Sequence, residues 1–407
     1  LHLSLRRQRQ MCIRDRFDRR DSFTSNWSDD GQVKWLDSAG IDLARGHGRL
    51  TGEREVTVTD ADGGTRVLHA RHAVAISTGS DAVIPPIEGL QESAPWTSRE
   101  ATSAEELPES LAVIGGGVVA VEMATAYAAL GSTVTIIARS GLLGSMEPFA
   151  GERVAAGLKE LGVDVRTDTG TTSVTRGDDG VSIVLDDGST VTATEVLVAT
   201  GRSPRSGDIG LDVVGLEAGR WITVDDTLRV PGSDWLYAVG DVNGRVLLTH
   251  QGKYQARAAG DVIAARAKGE DVDDAPWGKH VATADSAGAP QVTFSFPEVA
   301  SVGLTEADAR KAGTDVAVID YDLGSVAGAS LYEDGFEGQA RLVIDKERDV
   351  IVGATFVGPE VAELVQTATV AIVGEVPIAR LWHAVPAYPT ISEIWLRLLE
   401  TYGRDSA

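Results

Sequence analysis

A short apolar run, residues 111–115 (LAVIG), feeds directly into Gly115-Gly116-Gly117-Val118-Val119-Ala120 and leaves this chain few folds to choose from. An unbroken apolar strand belongs to a parallel sheet covered on both faces. In the G-x-G-x-x-A turn that follows, Gly115 permits the tight exit from the strand. Gly117 lets the backbone approach a pyrophosphate, and the small Ala120 allows a helix to pack close to the strand. Residues 115–129 read as that helix, closed by Gly131. A strand at 134–138, a helix at 152–161 ended by Gly162, and a strand at 163–166 complete βαβαβ, the mononucleotide-binding half of a doubly wound fold. A tight βα turn with no ligand is the plainer alternative. Against it stands the context of strand, turn, helix and second strand at the expected intervals.

The second strand speaks to the cofactor. An acid about 20 residues after the glycines commonly accepts from an NAD ribose hydroxyl. Here Ala138 occupies that place and Arg139 follows it. A missing acid beside a guanidinium suits a 2′-phosphate, so NADPH is expected ahead of NADH. A solvated surface charge is the competing reading of Arg139.

Composition narrows the setting. At 407 residues, two to four domains are expected, with 43% hydrophobic residues to fill their cores. Thirty-seven basic residues against 60 acidic ones give a net charge of −23, which argues against nucleic-acid or anionic-membrane partners. No apolar run reaches the roughly 18–20 residues of a membrane span. Cys12 is the single cysteine, so neither an intrachain disulfide nor a cysteine-rich metal centre is available. No metal site and a cytoplasmic location are the expectations. Residues 1–16 are basic in an acidic chain. They read as a non-native segment rather than a transit peptide, and Cys12 within it is given no role.

Elsewhere, residues 17–50 are mixed and polar, with Trp27, Trp35 and Leu36 as possible anchors. Residues 54–58 and 66–70 alternate as strands around Asp60-Ala61-Asp62-Gly63-Gly64, a hairpin. A second hairpin spans 182–191 around Asp187-Gly188, and further strands fit 73–77, 195–199 and 235–239. Residues 249–265 read as a helix and the polar stretch 270–288 as a linker. Beyond it, strands at 291–295, 316–320, 339–345 and 350–357 segregate from helices at 305–312, 360–373 and 392–401, an α+β arrangement.

Four separated strings then carry a resemblance. They are Ser77-Thr78-Gly79-Ser80 with Pro85-Pro86-Ile87-Glu88-Gly89-Leu90; residues 113–126, holding the glycine turn and Glu122; Ala199-Thr200-Gly201-Arg202 with Leu236-Tyr237-Ala238-Val239-Gly240-Asp241; and Tyr388-Pro389-Thr390-Ile391-Ser392-Glu393. In order and spacing the chain resembles the pyridine nucleotide–disulfide oxidoreductases, a family that includes dihydrolipoyl dehydrogenase, glutathione reductase and mercuric reductase. The resemblance implies an α/β fold with two Rossmann-like FAD/NAD(P)-binding domains, the first incomplete, and a C-terminal α+β dimerisation domain. The implied segments are 17–107 (partial FAD-binding), 108–228 (NAD(P)-binding), 229–288 (FAD-binding continued) and 289–407 (dimerisation).

By the same resemblance, Thr78, Gly79, Gly240 and Asp241 belong to the FAD site. Thr249 and His250 begin a helix whose N-terminal dipole faces the flavin. Glu122 lies near the nicotinamide, and Gly201 joins Gly115, Gly117, Ala120 and Arg139 at the dinucleotide crevice. A helix N-terminus suits a reduced flavin because it stabilises negative charge. The implied activity passes hydride from NAD(P)H through FAD to a small-molecule or disulfide acceptor, in a homodimer.

Three departures qualify the match. The family's opening strand–glycine–helix unit and its C-x-x-x-x-C pair are not found, which reads as an N-terminal truncation. Tyr388 stands where many members carry the histidine that works with Glu393 in catalysis, and an ordinary phenol with pKa near 10 is a poor base at neutral pH. His383 nearby reads as structural. The alternatives are a truncated, FAD-free NAD(P)-binding dimer without catalysis, and dihydrolipoyl dehydrogenase proper. A flavin monooxygenase or ferredoxin reductase-like enzyme fits less well, because it lacks the α+β domain.

Overall fold

The computed structural model describes residues 2–404, with side chains from Ile13 onward. Cys12 therefore lies outside the described side chains.

The strand that opens the glycine motif, Ser110–Ile114, is interior to a four-stranded parallel sheet. The order is Glu195–Val198, Ser110–Ile114, Thr133–Ile137, Asp164–Arg166. Its unbroken apolar text follows from cover on both sides. Leu111 and Val113 pack with Val121 and Ala124 of the helix Val118–Leu130 and with Leu158 of the helix Pro148–Glu160. Ala112 and Ile114 face Val181, Ile183 and Leu185. These last come from an antiparallel sheet of Thr171–Gly177, Gly180–Leu185 and Thr190–Ala193, which extends the expected hairpin by one strand. The helix begins at Val118, not 115, because residues 115–117 are spent turning; Gly115 sits at φ 135°. Gly131 closes it in the left-handed conformation.

On the flavin side, Val74–Ile76 pairs in parallel with Leu236–Ala238. Ile76, Leu236, Ala238 and Val242 share a core with Leu50, Ile209 and Leu211. The hairpin at Glu55–Thr59 and Thr65–His69 gains a third strand, His47–Gly52. Two expectations fail here. Trp27 and Trp35 anchor nothing, being 55% and 63% exposed, since no apolar face of the remaining structure reaches them. The polar stretch 270–288 is not a loose linker: His280, Val281 and Ala282 are buried in it, and it ends in the short helix Ala284–Ala287.

The C-terminal part is one antiparallel sheet in the order Gln291–Thr293, Val299–Gly303, Val350–Val357, Gln339–Asp345, Val316–Asp322. The helices Val365–Val373 and Ile394–Tyr402 help to cover it around Phe356, Trp395 and Leu398. Its strand Val299–Gly303 went unread because Pro297 and Glu298 interrupt the apolar pattern just ahead of it. This domain docks directly on the parallel-sheet domain. Val299 and Val357 enter the latter's core, and a Cβ on Gly157 would stand 2.2 Å from the Phe296 carbonyl.

A final ribbon matters most for the site. Ser80–Ala82 pairs antiparallel with Arg202–Pro204, where the chain enters and leaves the parallel-sheet domain.

Candidate functional site

In a doubly wound sheet, ligands bind outside the carboxyl ends of the strands at the point where the strand order reverses. Here that point lies between Ser110–Ile114 and Glu195–Val198. A cleft of about 630 Å³ opens there, with residues 115–117 on one wall and 199–201 on the other. The two outer glycines of the motif do different jobs. A Cβ on Gly115 would fall 2.3 Å from the Ala199 carbonyl oxygen, whereas one on Gly117 would meet nothing within 4 Å. Gly115 lets the two strand ends come together; Gly117 leaves the helix start bare. That start has no side-chain cap, so its first N–H groups remain free for an anion. Ala120 is wholly buried against the sheet.

The loop after Thr133–Ile137 forms a further wall, contributing Arg139 to Ser145 except Leu142. It is tied to the glycine turn by the Leu143 N–H, which donates to the Gly116 carbonyl at 2.7 Å. Ala138 is buried, and Arg139 is exposed on the cleft wall. Among the described residues the Arg139 guanidinium has neither a hydrogen bond nor an ion pair.

The Gly240-Asp241 motif reaches this cleft through the ribbon. Ser80 Oγ donates to Asp241 Oδ2 at 2.6 Å and accepts from Arg202 Nε at 2.6 Å. Arg202 also donates to the Ser80 carbonyl at 2.7 Å, and both Gly201 and Arg202 line the cleft. One serine and one arginine thus separate the two motifs. Thr78 and Gly79 sit beside this junction: Thr78 Oγ1 donates to the Arg205 carbonyl and the Arg205 N–H to that of Gly79. The Arg205 guanidinium hydrogen-bonds Asp81 and holds its carboxyl below the usual range, with Arg99 and Arg202 adding to the effect.

Beneath the motif lies a buried polar network. The Gly240 N–H and Asn243 Nδ2 both donate to Gln255 Oε1, at 2.7 and 2.8 Å. Gln251 and Gln255 donate to Asp285, which also meets Arg245 Nε at 3.0 Å. Burial pushes the Asp285 carboxyl above its ordinary value against the pull of Arg245. The helix Thr249–Lys268 starts at the expected residue without a side-chain cap. His250 turns to the side and shares a hydrogen bond with the Pro290 carbonyl.

The remaining expected residues do not gather here. Glu122, on the second turn of the glycine-motif helix, does not line the cleft. It accepts from the Phe294 N–H of the C-terminal domain at 2.8 Å, and burial raises its pKa. Tyr388 and Glu393 lie in the C-terminal domain but are not joined. Tyr388 is 76% exposed. Glu393 is buried, bonded to Arg397 Nη2 at 2.5 Å and to the Ala327 N–H at 3.3 Å.

Ser80 and Arg202 stood inside motif strings and carried no role of their own in the sequence reading. Gln255 and Asp285 were missed. The four-residue spacing of Gln251 and Gln255 placed two amides on one helix face, a usable signal. Asp285 had none, hidden in what read as a linker.

Comparison with known proteins agrees with this geometry. Residues 18–259 match the family model described as pyridine nucleotide-disulphide oxidoreductase. Residues 289–398 match that of the pyridine nucleotide-disulphide oxidoreductase dimerisation domain. A mercuric reductase of Shigella flexneri is 34% identical over 372 residues, which is 90% of this chain but only 63% of that protein. A dihydrolipoyl dehydrogenase of Chlorobaculum tepidum is 33% identical over 374 residues, covering 90% of this chain and 76% of that enzyme. The crystal structure of LpdA from Mycobacterium tuberculosis superposes with a TM-score of 0.81 at 26% identity, covering 95% of this chain and 83% of the other. The chain spans less than two thirds of the mercuric reductase it matches. With a cleft at the switch point, the Asp241 motif linked to it through Ser80 and Arg202, and both family models matched in order, this chain belongs to the pyridine nucleotide-disulphide oxidoreductase family.

Proposed function

We propose that this chain is the nucleotide-handling part of an FAD-dependent NAD(P)H oxidoreductase, which passes hydride from NAD(P)H through the flavin to a disulfide or other acceptor. The observation that carries the reading is the Asp241–Ser80–Arg202 chain of hydrogen bonds, which ties the flavin motif to the dinucleotide cleft.

The residues present fit both cofactors in part. For the dinucleotide, Gly117 leaves room at a free helix start, and Arg139, with no polar partner among the described residues, follows Ala138 at the place where NAD sites carry an acid. For the flavin, Gly240-Asp241 and the uncapped start of Thr249–Lys268 supply polar groups and partial positive charge. Among the described residues there is one strand–glycine–helix unit, so the adenosine end of FAD has no counterpart of Gly115–Gly117 here. The flavin, when bound, supplies hydride acceptance; the protein's part is to orient and exclude water. In this reading residues 17–107 and 229–288 serve FAD, 108–228 serve NAD(P), and 289–407 pair two copies. Val370, Val385 and Tyr388 are exposed apolar side chains of the C-terminal domain that such pairing could cover.

The test is anaerobic. The purified chain mixed with FAD and NADPH should bleach the flavin faster than the two cofactors do without protein. Bleaching at the protein-free rate, with NADPH demonstrably bound, would reduce the chain to a nucleotide-binding dimer.

Arg139→Glu tests the cofactor choice separately. It should weaken NADPH by about 10- to 100-fold, the worth of one charge-assisted contact, and NADH by far less. Equal losses for both, measured by calorimetric titration, would remove Arg139 from the 2′-phosphate.

A further inference from the structure

We propose that Arg341, in the C-terminal domain and far from the cleft in sequence, is a positioning residue for dinucleotide selectivity. It acts by clamping Glu147 and so fixing the loop that presents Arg139. The inference rests on the reading of Arg139 given above.

Glu147 ends the loop that begins at Arg139 and stands as the N-cap of the helix Pro148–Glu160. Its side chain is only 3% exposed. A carboxylate that far from water needs partners, and neither is local. Oε2 receives Arg341 Nη1 at 2.9 Å, and Oε1 accepts from the Glu306 N–H at 2.7 Å. Both donors come from the C-terminal domain. Arg341 is itself held rigid: it forms a two-pronged pair with Asp320 at 2.9 and 2.8 Å, reaches Glu306 Oε2 at 3.2 Å, and lies over the Phe149 ring at 5.3 Å. A guanidinium whose fork is taken up by a carboxylate of its own sheet is a fixed point, and Glu147 is bound to that point.

The loop is tied along its length. The Ala138 carbonyl accepts from the Thr169 N–H, the Leu143 N–H donates to the Gly116 carbonyl while Leu142 and Leu143 are buried in the parallel-sheet core, and Glu147 docks on Arg341 and the Glu306 N–H. The ties at Ala138 and Leu143 belong to the parallel-sheet domain. Those at Glu147 bring the C-terminal domain to bear on the wall of the cleft. Without the Arg341 contact, the loop keeps its ties at Ala138 and Leu143 and the Glu306 N–H on Glu147, but its far end is held less firmly. The exposed Arg139, which has no hydrogen bond or ion pair among the described residues, then samples more positions. The affinity that depends on Arg139 falls, and the affinity that depends on the glycine turn does not.

The full 407-residue chain is titrated by calorimetry with NADP+ and with NAD+, as wild type, Arg139→Gln, Arg341→Met and Glu147→Gln. The wild type should favour NADP+ by about tenfold or more, and Arg139→Gln should abolish the preference. Arg341→Met and Glu147→Gln should each shrink it to within about twofold, chiefly through NADP+, with NAD+ affinity little changed. Glu147→Gln is nearly isosteric and introduces no buried charge, so it carries the test where Arg341→Met fails to fold. Arg341→Lys, which keeps a charge but not the fork, should fall between wild type and Arg341→Met. A preference that survives Glu147→Gln while Arg139→Gln abolishes it would overturn the inference and leave the reading of Arg139 standing. Equal losses of NADP+ and NAD+ would overturn it as well, marking Arg341 as a purely structural tie. A wild type that binds both alike, or an Arg139→Gln that keeps the preference, would overturn the reading of Arg139 and the inference with it.

Discussion

Gly115→Ala should abolish dinucleotide binding and cost about 2–4 kcal/mol of stability, the sum of backbone strain and overpacking. Gly117→Ala should weaken binding by about tenfold or more while leaving stability nearly untouched. The contrast comes from geometry. At Gly115 the backbone adopts φ 135°, which L side chains rarely do, and the added methyl would strike the Ala199 carbonyl at 2.3 Å. Neither backbone can yield readily, because Ala199 N–H donates to the Ile114 carbonyl and Gly115 N–H to that of Ile137. Relief would have to part the two strand ends that frame the cleft. Gly117 has φ −84° and open space where its Cβ would go, so alanine fits the empty protein but stands where a pyrophosphate must approach. Urea unfolding and calorimetric titration with NADP+ separate the two effects. A Gly115→Ala protein that binds NADP+ within twofold of wild type would show that this turn does not build the cleft.

Arg245→Met should lower stability by about 3–5 kcal/mol at neutral pH, the usual result of stripping a buried charge of its partner, and by progressively less as the solution is acidified. The Asp285 side chain is 2% exposed and that of Arg245 19%, so solvent screens the pair little. The sign follows from proton binding. Burial raises the folded-state pKa of Asp285 above the unfolded value of 3.8, and Arg245 opposes the rise. A carboxyl with a raised folded pKa binds its proton more tightly when folded. Its cost is therefore absent below the unfolded value and grows as pH climbs toward the folded one. Removing Arg245 raises the folded value further, so the window widens upward and the loss is fullest above it. Denaturation of both proteins across that range gives the curve. A difference independent of pH would mean that Arg245 contributes through packing and its bonds to the Asp225 and Ala282 carbonyls rather than through Asp285. The consequence for function lies in Gln251 and Gln255, which donate to Asp285, while Gln255 also accepts from the Gly240 N–H. Loosening this network should slacken the loop that carries Asp241.

How much of this was readable beforehand depended on range. The strand–glycine–helix unit announced itself because each requirement is local. A strand buried on both faces needs consecutive apolar residues, and a turn at positive φ needs glycine. A close-packed helix needs a small residue, and Ala120 is fully buried. The long strands Gln339–Asp345 and Val350–Val357 agreed with the expected limits for the same reason: seven and eight residues carry a legible pattern. Short polar strands carry none. Ser80–Ala82 and Arg202–Pro204 were assigned no element, yet their pairing sets the Gly240-Asp241 motif beside the cleft. His47–Gly52 and Val299–Gly303 also went unread, the latter because Pro297 and Glu298 interrupt the pattern before it.

Ion pairs mark the far limit. The resemblance implied that Tyr388 and Glu393 act together; within one chain the Glu393 carboxylate is held by Arg397, one helical turn on, and Tyr388 is exposed. Glu147 and Arg341 are 194 positions apart, and nothing in either neighbourhood names the other. Local sterics and periodicity are written residue by residue, so the nucleotide-binding half and its glycine turn follow from the text of the chain. Which buried charge meets which, and which domain braces the cleft, depends on how separate cores dock, a choice made by shape and desolvation across hundreds of residues.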